Sequence, residues 1–243
     1  VIKIIYIQNF IKRLWASVNY RYKNSLIFSN PKLYINDKSN TNIKNPIFLL
    51  GTASGGLTII SRIIRRHPNV ISASGDSNYF YGLDEINQYY KKFIPKILDT
   101  FRFKNLSPSY GEFYAINKFI GYSTIKKKKF KSYSKKYVML LNAILKVFSK
   151  NLNNSRLIDK SQINTLNVKF IDYALKDCSP YYVLVVSNPY AIIAKNFINL
   201  GQHNEENLIY SIEHYKNIIN KCLKDLQNTK NKYLIINFDN FLS

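Results

Sequence analysis

Short apolar runs alternate with amphipathic stretches through most of this chain. IFLL (47–50) is a continuous apolar run of strand length, and the polar, turn-rich segment NPKLYINDKSNTNIKNP (30–46) ahead of it reads as a loop or linker into the core. From Leu57 onward, Ile59, Ile60, Ile63 and Ile64 share one stripe of a helix, with Arg62, Arg65 and Arg66 on the other side. His67 and Pro68 end that helix, and VISA (70–73) reads as a second strand. Helical patterns follow at 84–98, 135–151 and 163–177. YYVLVV (181–186) is the clearest strand, and it passes into SNPYAIIAKNFI, where Pro189 takes an early helical position that needs no N–H. A long amphipathic helix is expected over 205–228 and a last strand at YLIINF (233–238). This order predicts an α/β fold, a three-layer sandwich with a mostly parallel central sheet between helix layers. Residues 1–44 read as a basic N-terminal extension and linker, and 45–243 as the α/β domain.

Between the first strand and its helix lies GTASGGLT (51–58). A glycine-rich turn opening a helix is the architecture of a phosphate cradle, because backbone amides approach the anion and the helix end adds partial positive charge. Ser54 and Thr58 can add hydroxyl hydrogen bonds. Gly51, Gly56 and Thr58 match the spacing G-x-x-x-x-G-K-[ST], but Leu57 stands where that pattern has lysine. Glycine turns also serve tight helix–sheet packing, so both readings stand. A P-loop kinase or NTPase needs a lysine on the phosphates and a carboxylate for Mg²⁺, and neither is evident.

Charge adds a second line. The 243 residues include 36 Lys plus Arg and 14 Asp plus Glu, a formal net charge of +22. That balance suits anionic partners, although a chain crowded with Lys, Asn, Ile and Tyr also fits drift toward A/T-rich codons. The densest basic run, TIKKKKFKSYSKK (124–136), is expected to be a solvated, mobile face. In a non-catalytic polyanion or nucleic-acid binder it would act with Tyr122, Phe130 and Tyr133 as stacking rings. Two cysteines, Cys178 and Cys222, with no CxxC pair and no His/Cys cluster, argue against a disulfide scaffold or a zinc site, so buried reduced thiols in a cytoplasmic protein are expected and no metal. No 18-residue apolar run is present. VIKIIYIQNFIKRLWASVNYRYK, at the N-terminus, suits either a packed helix or a peripheral membrane contact. The missing initial Met makes the chain a candidate fragment, and its C-terminal end a candidate truncation.

PIFLLGTASGGLTIISRIIRRHPNV (46–70) resembles the first motif of the sulfotransferase superfamily, a strand, a loop of the form G-x-x-[RK]-S-G-T-T and a helix ending HP-x-V. Gly51, Gly56, Thr58 and HPNV fit that pattern. Ser54 stands at the basic position, Gly55 at the Ser and Leu57 at the first Thr; a GGLT loop is similar to one seen in some bacterial members. RLIDKSQ (156–162) looks like the E-K-[ST]-P segment of carbohydrate sulfotransferases, through Asp159, Lys160 and Ser161. YYVLVVSNPYAIIAKNF (181–197) looks like the second nucleotide motif, with Asn188 and Pro189 matching, Ser187 in place of its Arg and Lys195 at the eighth position. YLIINFDNFLS (233–243) is similar to the strand v-R-Y-E-D-L. The resemblance runs from about residue 45 to the end.

The resemblance implies transfer of a sulfuryl group from 3′-phosphoadenosine 5′-phosphosulfate to a hydroxyl or amine, with no metal. The acceptor would be a glycan, a glycolipid or a small molecule, and no specific nucleic acid is implied. The loop residues Gly51, Thr52, Ala53, Ser54, Gly55, Gly56, Leu57 and Thr58 would cradle the phosphosulfate, and Ser187 and Lys195 would hold the 3′-phosphate. Asp76, ahead of Tyr79 and Phe80, stands where several glycan sulfotransferases keep their base; a turn-forming Asp after Gly75 is the other reading. Glu85, with Asp84, is the runner-up. Lys160 would stabilise the transferring group. Arg62, Arg65, Lys160 and Lys195 would compensate for the absent basic residues at Ser54 and Ser187. His67 reads as a helix terminator. Oligomeric state and acceptor identity stay open.

Overall fold

A computed structural model of the chain describes residues 43–52, 54–72, 125–149, 151–199 and 204–242, together with Trp15, Val18, Asn19, Tyr22, Lys23 and Leu26. The first strand, β1 (Ile47–Leu50), leads through the glycine loop into α1 (Leu57–Ile64), and β2 (Val70–Ile71) follows. After a 3-10 turn at Lys127–Lys129 comes α2 (Phe130–Phe148), then β3 (Arg156–Asp159), a 3-10 turn at Gln162–Leu166, and α3 (Val168–Ala174). The last elements are β4 (Tyr181–Val186), α4 (Pro189–Asn199), α5 (Glu205–Gln227), β5 (Tyr233–Asn237) and the short α6 (Phe238–Leu242).

The five strands lie in the order β2-β3-β1-β4-β5, and every pairing is parallel. β1 occupies the centre because it is apolar on both faces: Phe48, Leu49 and Leu50 are wholly buried. Period-two alternation divides its side chains between two cores. Phe48 and Leu50 pack with Leu157, Tyr182 and Leu184 under α2, α3 and α5. Leu49 packs with Ile158, Val185 and α1's Leu57 and Ile60 on the opposite face. Helices therefore cover both faces of a parallel sheet, the α/β architecture expected of the element order.

β1 and β4 span the residues their apolar runs mark, and α5 ends one residue before the expected boundary. β2 is confined to Val70–Ile71, while the helical pattern at 84–98 lies outside the described residues. β3 was not anticipated as a strand. RLID is short, with a charge at each end, and only its place between β1 and β2 makes it one. The 163–177 pattern is split at Asn167, whose side chain accepts the Ile125 N–H at 2.7 Å and donates to Ile163 O at 2.8 Å.

The basic run departs most from expectation. It forms the 3-10 turn and the first turns of α2, five residues ahead of the expected helix start, because Tyr133 and Tyr137 continue the buried stripe of Leu140, Leu141 and Ile144. The rings assigned to stacking are spent in the core: Tyr133 is buried, and Phe130 packs on Phe170 and Tyr173, each at a centroid distance of 5.5 Å. Tyr122 lies outside the described residues. No described helix is long and apolar enough to cross a membrane.

Polar side chains also cross-link the layers. Asp172 of α3 accepts from the Tyr182 hydroxyl at 2.6 Å and from Asn231 at 2.8 Å, joining α3, β4 and the approach to β5. Asp225 of α5, 2% exposed, is held by Lys221 at 2.5 Å and Lys169 at 3.3 Å.

His214, on the inner side of α5 and 3% exposed, has its pKa lowered to about 4 because burial penalises the imidazolium. The unfolded chain takes up this proton near pH 6.5, whereas the native state resists until about pH 4. The linked stability is present above pH 6.5 and lost as pH falls toward 4, by up to about 3 kcal/mol. Urea unfolding at pH 7.5 and 5.0 should show His214→Gln losing clearly less stability on acidification than the parent chain; equal losses would contradict this account.

Candidate functional site

The site grows from the end of β1. Gly51, at φ +152°, sits where an added Cβ would lie 2.7 Å from the Val185 carbonyl oxygen, so the loop must leave the sheet through a glycine. Gly51 N–H donates to Thr165 Oγ at 2.8 Å, and the Thr165 hydroxyl donates back to Gly51 O at 3.0 Å. Thr165 is fully buried in the 3-10 turn after β3, so this reciprocal pair pins the loop to the neighbouring crossover.

From there the chain tightens. Gly55 N–H donates to Thr52 O at 3.2 Å, and Ser54 and Gly56 take φ +65° and +90°. Two left-handed residues on either side of Gly55 turn the backbone sharply into α1. Gly56 is the N-cap of α1; its carbonyl accepts from Ile59 N–H at 3.0 Å and Ile60 N–H at 3.1 Å. Among the described residues no side chain caps the helix start, and no acidic residue lies in its first turn. The N–H groups of Leu57 and Thr58, which precede those of Ile59 and Ile60, have no partner within the helix.

This loop borders a cleft of about 220 Å³ lined by Thr52, Ser54, Gly56, Leu57, Thr58, Ile59, Lys160, Gln162 and Phe238. Lys160 and Gln162 reach it because β3 pairs with β1, with Phe48 beside Asp159, so the residues after Asp159 emerge next to the loop. Asp159, 5% exposed, accepts Ser161 N–H at 2.9 Å and Ser161 O–H at 2.6 Å, which bends the chain toward the cleft. Lys160 is the one cation among the described lining residues. Leu57 is 6% exposed and packs into the α1 core against Gly51.

The turn after β4 is closed differently. Ser187 O–H and Asn188 N–H donate to the two oxygens of Asp239, at 2.8 and 2.6 Å, while Asn188 Oδ1 accepts Tyr190 N–H at 3.0 Å at the start of α4. Lys195 is exposed on α4 and does not line the loop cleft. α6 touches both nucleotide-binding candidates: Asp239 holds the turn after β4, and the Phe238 ring covers Gly56.

The structure thus brings Thr52, Ser54, Gly56, Leu57, Thr58 and Lys160 to one cleft. Ala53, Asp76, Asp84 and Glu85 lie outside the described residues. β2, the strand leading toward Asp76, is separated from β1 by β3, so its end stands two strand spacings, about 10 Å, from the loop strand. Arg65 cannot compensate at the loop. It is the C-cap of α1, a helix length of about 12 Å away, and lines a second cavity with Lys23 and Ser72. Arg62 is exposed more than a turn along the same helix. α1 ends at Ile64, ahead of the expected terminator His67, whose Nδ1 accepts Asn69 N–H at 3.2 Å in the turn that follows.

Four residues of the site were invisible as such in the sequence. Gln162 lay inside a quoted motif but carried no distinguishing chemistry. Phe238 and Asp239 lay in a segment read only as a strand. Thr165 had no signal at all, since its partner is 114 residues away.

At Gly56 the packing reading of the glycines applies. Its φ of +90° is left-handed, and a Cβ there would meet the Phe238 ring at 2.5 to 2.8 Å. Substituting it tests packing as well as binding. Gly56→Ala is expected to lower the unfolding free energy by about 1–3 kcal/mol through strain and overpacking. Ser54→Gly, relieving a left-handed serine, should raise it by up to about 1 kcal/mol. Urea titrations of both variants check this; equal destabilisation by the two would contradict the loop geometry.

No protein-family profile matches this chain, and no curated protein does. Among solved structures, a sulfotransferase domain from the Synechococcus PCC 7002 olefin synthase aligns with 16% identity and a TM-score of 0.46, covering 82% of this chain and 69% of that one. A sulfotransferase from Alicyclobacillus acidocaldarius aligns with 13% identity and a TM-score of 0.38, covering 82% of this chain and 75% of its own.

Proposed function

We propose that this chain is a sulfotransferase that moves a sulfuryl group from 3′-phosphoadenosine 5′-phosphosulfate to a hydroxyl or amine of an acceptor. The observation that carries this reading is the composition of the loop cleft. It keeps the amide donors and hydroxyls of a phosphate cradle, but the position of the triphosphate-gripping lysine is a core leucine, Leu57. The cation comes instead from the residue that follows the neighbouring strand β3, Lys160. The motif resemblance over residues 46–70, 156–162, 181–197 and 233–243 points the same way.

In such a reaction the acceptor oxygen or nitrogen attacks sulfur, the bond from sulfur to the bridging phosphate oxygen breaks, and 3′-phosphoadenosine 5′-phosphate leaves with that electron pair. The loop amides and Thr58 neutralise the leaving phosphate, which the uncapped start of α1 favours. Lys160 offsets the charge on the sulfuryl and bridging oxygens. The acceptor proton goes to a carboxylate, for which Asp76 is the first candidate and Glu85 the second. A cleft of about 220 Å³ suits the phosphosulfate end alone. The sugar end is assigned to Lys195, because the Ser187 hydroxyl proposed to share it already donates to Asp239.

One observation favours a second reading, phosphoryl transfer. Asp159 ends β3 directly beside β1, the place where P-loop enzymes keep a metal-binding carboxylate. Its bonds to Ser161 and its burial weigh against that role here.

Calorimetry with 3′-phosphoadenosine 5′-phosphate, with and without Mg²⁺, separates the two. Binding without Mg²⁺, weakened by about 1.5–3 kcal/mol in Lys160→Ala, is expected. Lys195→Ala should weaken the same ligand by a similar amount while sparing adenosine 5′-phosphosulfate, which lacks the 3′-phosphate. Tight binding of ATP that needs Mg²⁺, with no binding of the 3′-phosphorylated nucleotide, would overturn the proposal.

A further inference from the structure

Seven lysines and no acidic residue occupy positions 126–136. Six of them, Lys126, Lys127, Lys128, Lys129, Lys131 and Lys135, are exposed, and among the described residues none of the six makes an ion pair. They are ordered into the 3-10 turn and the first turns of α2, a strip about 15 Å long. This arrangement costs stability twice. The lysines repel one another, and they crowd the positive end of a 19-residue helix that has no acidic residue in its first turn. Local arrangements that break such rules without a compensating contact mark functional surfaces.

The strip stands at the same sheet edge as the loop cleft. α2 feeds the parallel strand β3, so it begins at the carboxyl edge of the sheet. Two links make the placement specific. Ile125 N–H donates to Asn167, and Thr165, two residues before Asn167, is the residue that holds Gly51. Lysine density therefore begins one residue from a backbone that is hydrogen-bonded into the crossover supporting the cleft.

Resting on the sulfuryl-transfer reading for the identity of the acceptor, we infer that this strip docks an anionic polysaccharide, the acceptor chain, beside the cleft. Charge complementarity selects a polyanion. The side chains available select one recognised by charge alone. Tyr133 and Tyr137 are buried, Phe130 is packed, and the half-exposed Tyr173 already leans on Phe130. Ser132 and Ser134 donate back to the carbonyls of Lys129 and Lys131. No exposed large apolar side chain lies within the strip to enter a lipid surface. Among the described residues bases would find no stacking platform in the strip and acyl chains no wedge, whereas regularly spaced sulfates or carboxylates meet ammonium groups along the whole strip.

The test uses the full chain and fluorescently labelled dextran sulfate, with neutral dextran, a dT oligonucleotide and phosphatidylserine vesicles as comparisons. One variant combines Lys127→Gln, Lys128→Gln and Lys129→Gln. A charge-matched control combines Lys216→Gln, Lys224→Gln and Lys230→Gln, exposed lysines of α5 and the turn before β5. The strip variant should lose about tenfold or more in dextran sulfate affinity at 0.1 M salt, with a flatter salt dependence, and the control less than about threefold. Equal losses in the two variants would overturn the inference, because net charge alone would then explain binding. Strip-dependent binding that is tighter for the oligonucleotide or the vesicles at matched charge would overturn it as well. 3′-Phosphoadenosine 5′-phosphate binding, measured in the same three proteins, should be unchanged. Its absence from all of them would remove the sulfuryl-transfer reading while leaving the docking result to stand or fall by itself.

Discussion

The reciprocal hydrogen bonds between Gly51 and Thr165 hold the geometry on which the rest of the site depends. β1 is buried on both faces and paired on both sides, so its last backbone groups have nowhere to turn for partners except the neighbouring crossover. Thr165 supplies both a donor and an acceptor there, from a position without solvent contact. The loop is thereby registered against β3, and the same register delivers Lys160 and Gln162 to its side. A loop held only by its own glycines would have no fixed relation to Lys160.

α6 adds a second constraint at small expense of sequence. Within two consecutive residues, Phe238 fills the space that Gly56 leaves and Asp239 takes the N–H and O–H donors of the turn after β4. Two loops that belong to different crossovers are thereby tied to the same short helix. Gly56 consequently answers to two demands, a left-handed backbone and the Phe238 ring packed against it, and neither can be separated from the other by substituting the glycine itself.

Charge is distributed with the same economy. The chain has 14 acidic residues, and several of them act inside the fold: Asp225 and Asp159 are buried, and Asp172 joins three elements. Asp225 is matched by Lys169 and Lys221, whereas the lysine strip at the start of α2 holds no acidic residue and is the densest basic run of the sequence. Order in that strip comes from the inward face of the same helix, where Tyr133 and Tyr137 anchor it.

What the sequence determined by itself were the features carried by local patterns. Continuous apolar runs marked β1 and β4, the 3.6-residue period marked α1 and α5, and the glycines marked the turn from β1 into α1, because each signal lies within a few residues of its consequence. Tertiary structure alone decided the rest. RLID is a strand only because β1 and β2 flank it, and the basic run is a helix only because its tyrosines find the α3 surface. Thr165, Phe238 and Asp239 joined the site across separations of 114, 182 and about 50 residues, as the parallel crossovers returned each to the same edge. Such contacts leave no periodic trace, since a hydrogen bond or a ring packed on a glycine constrains one position in space and nothing about its neighbours in sequence.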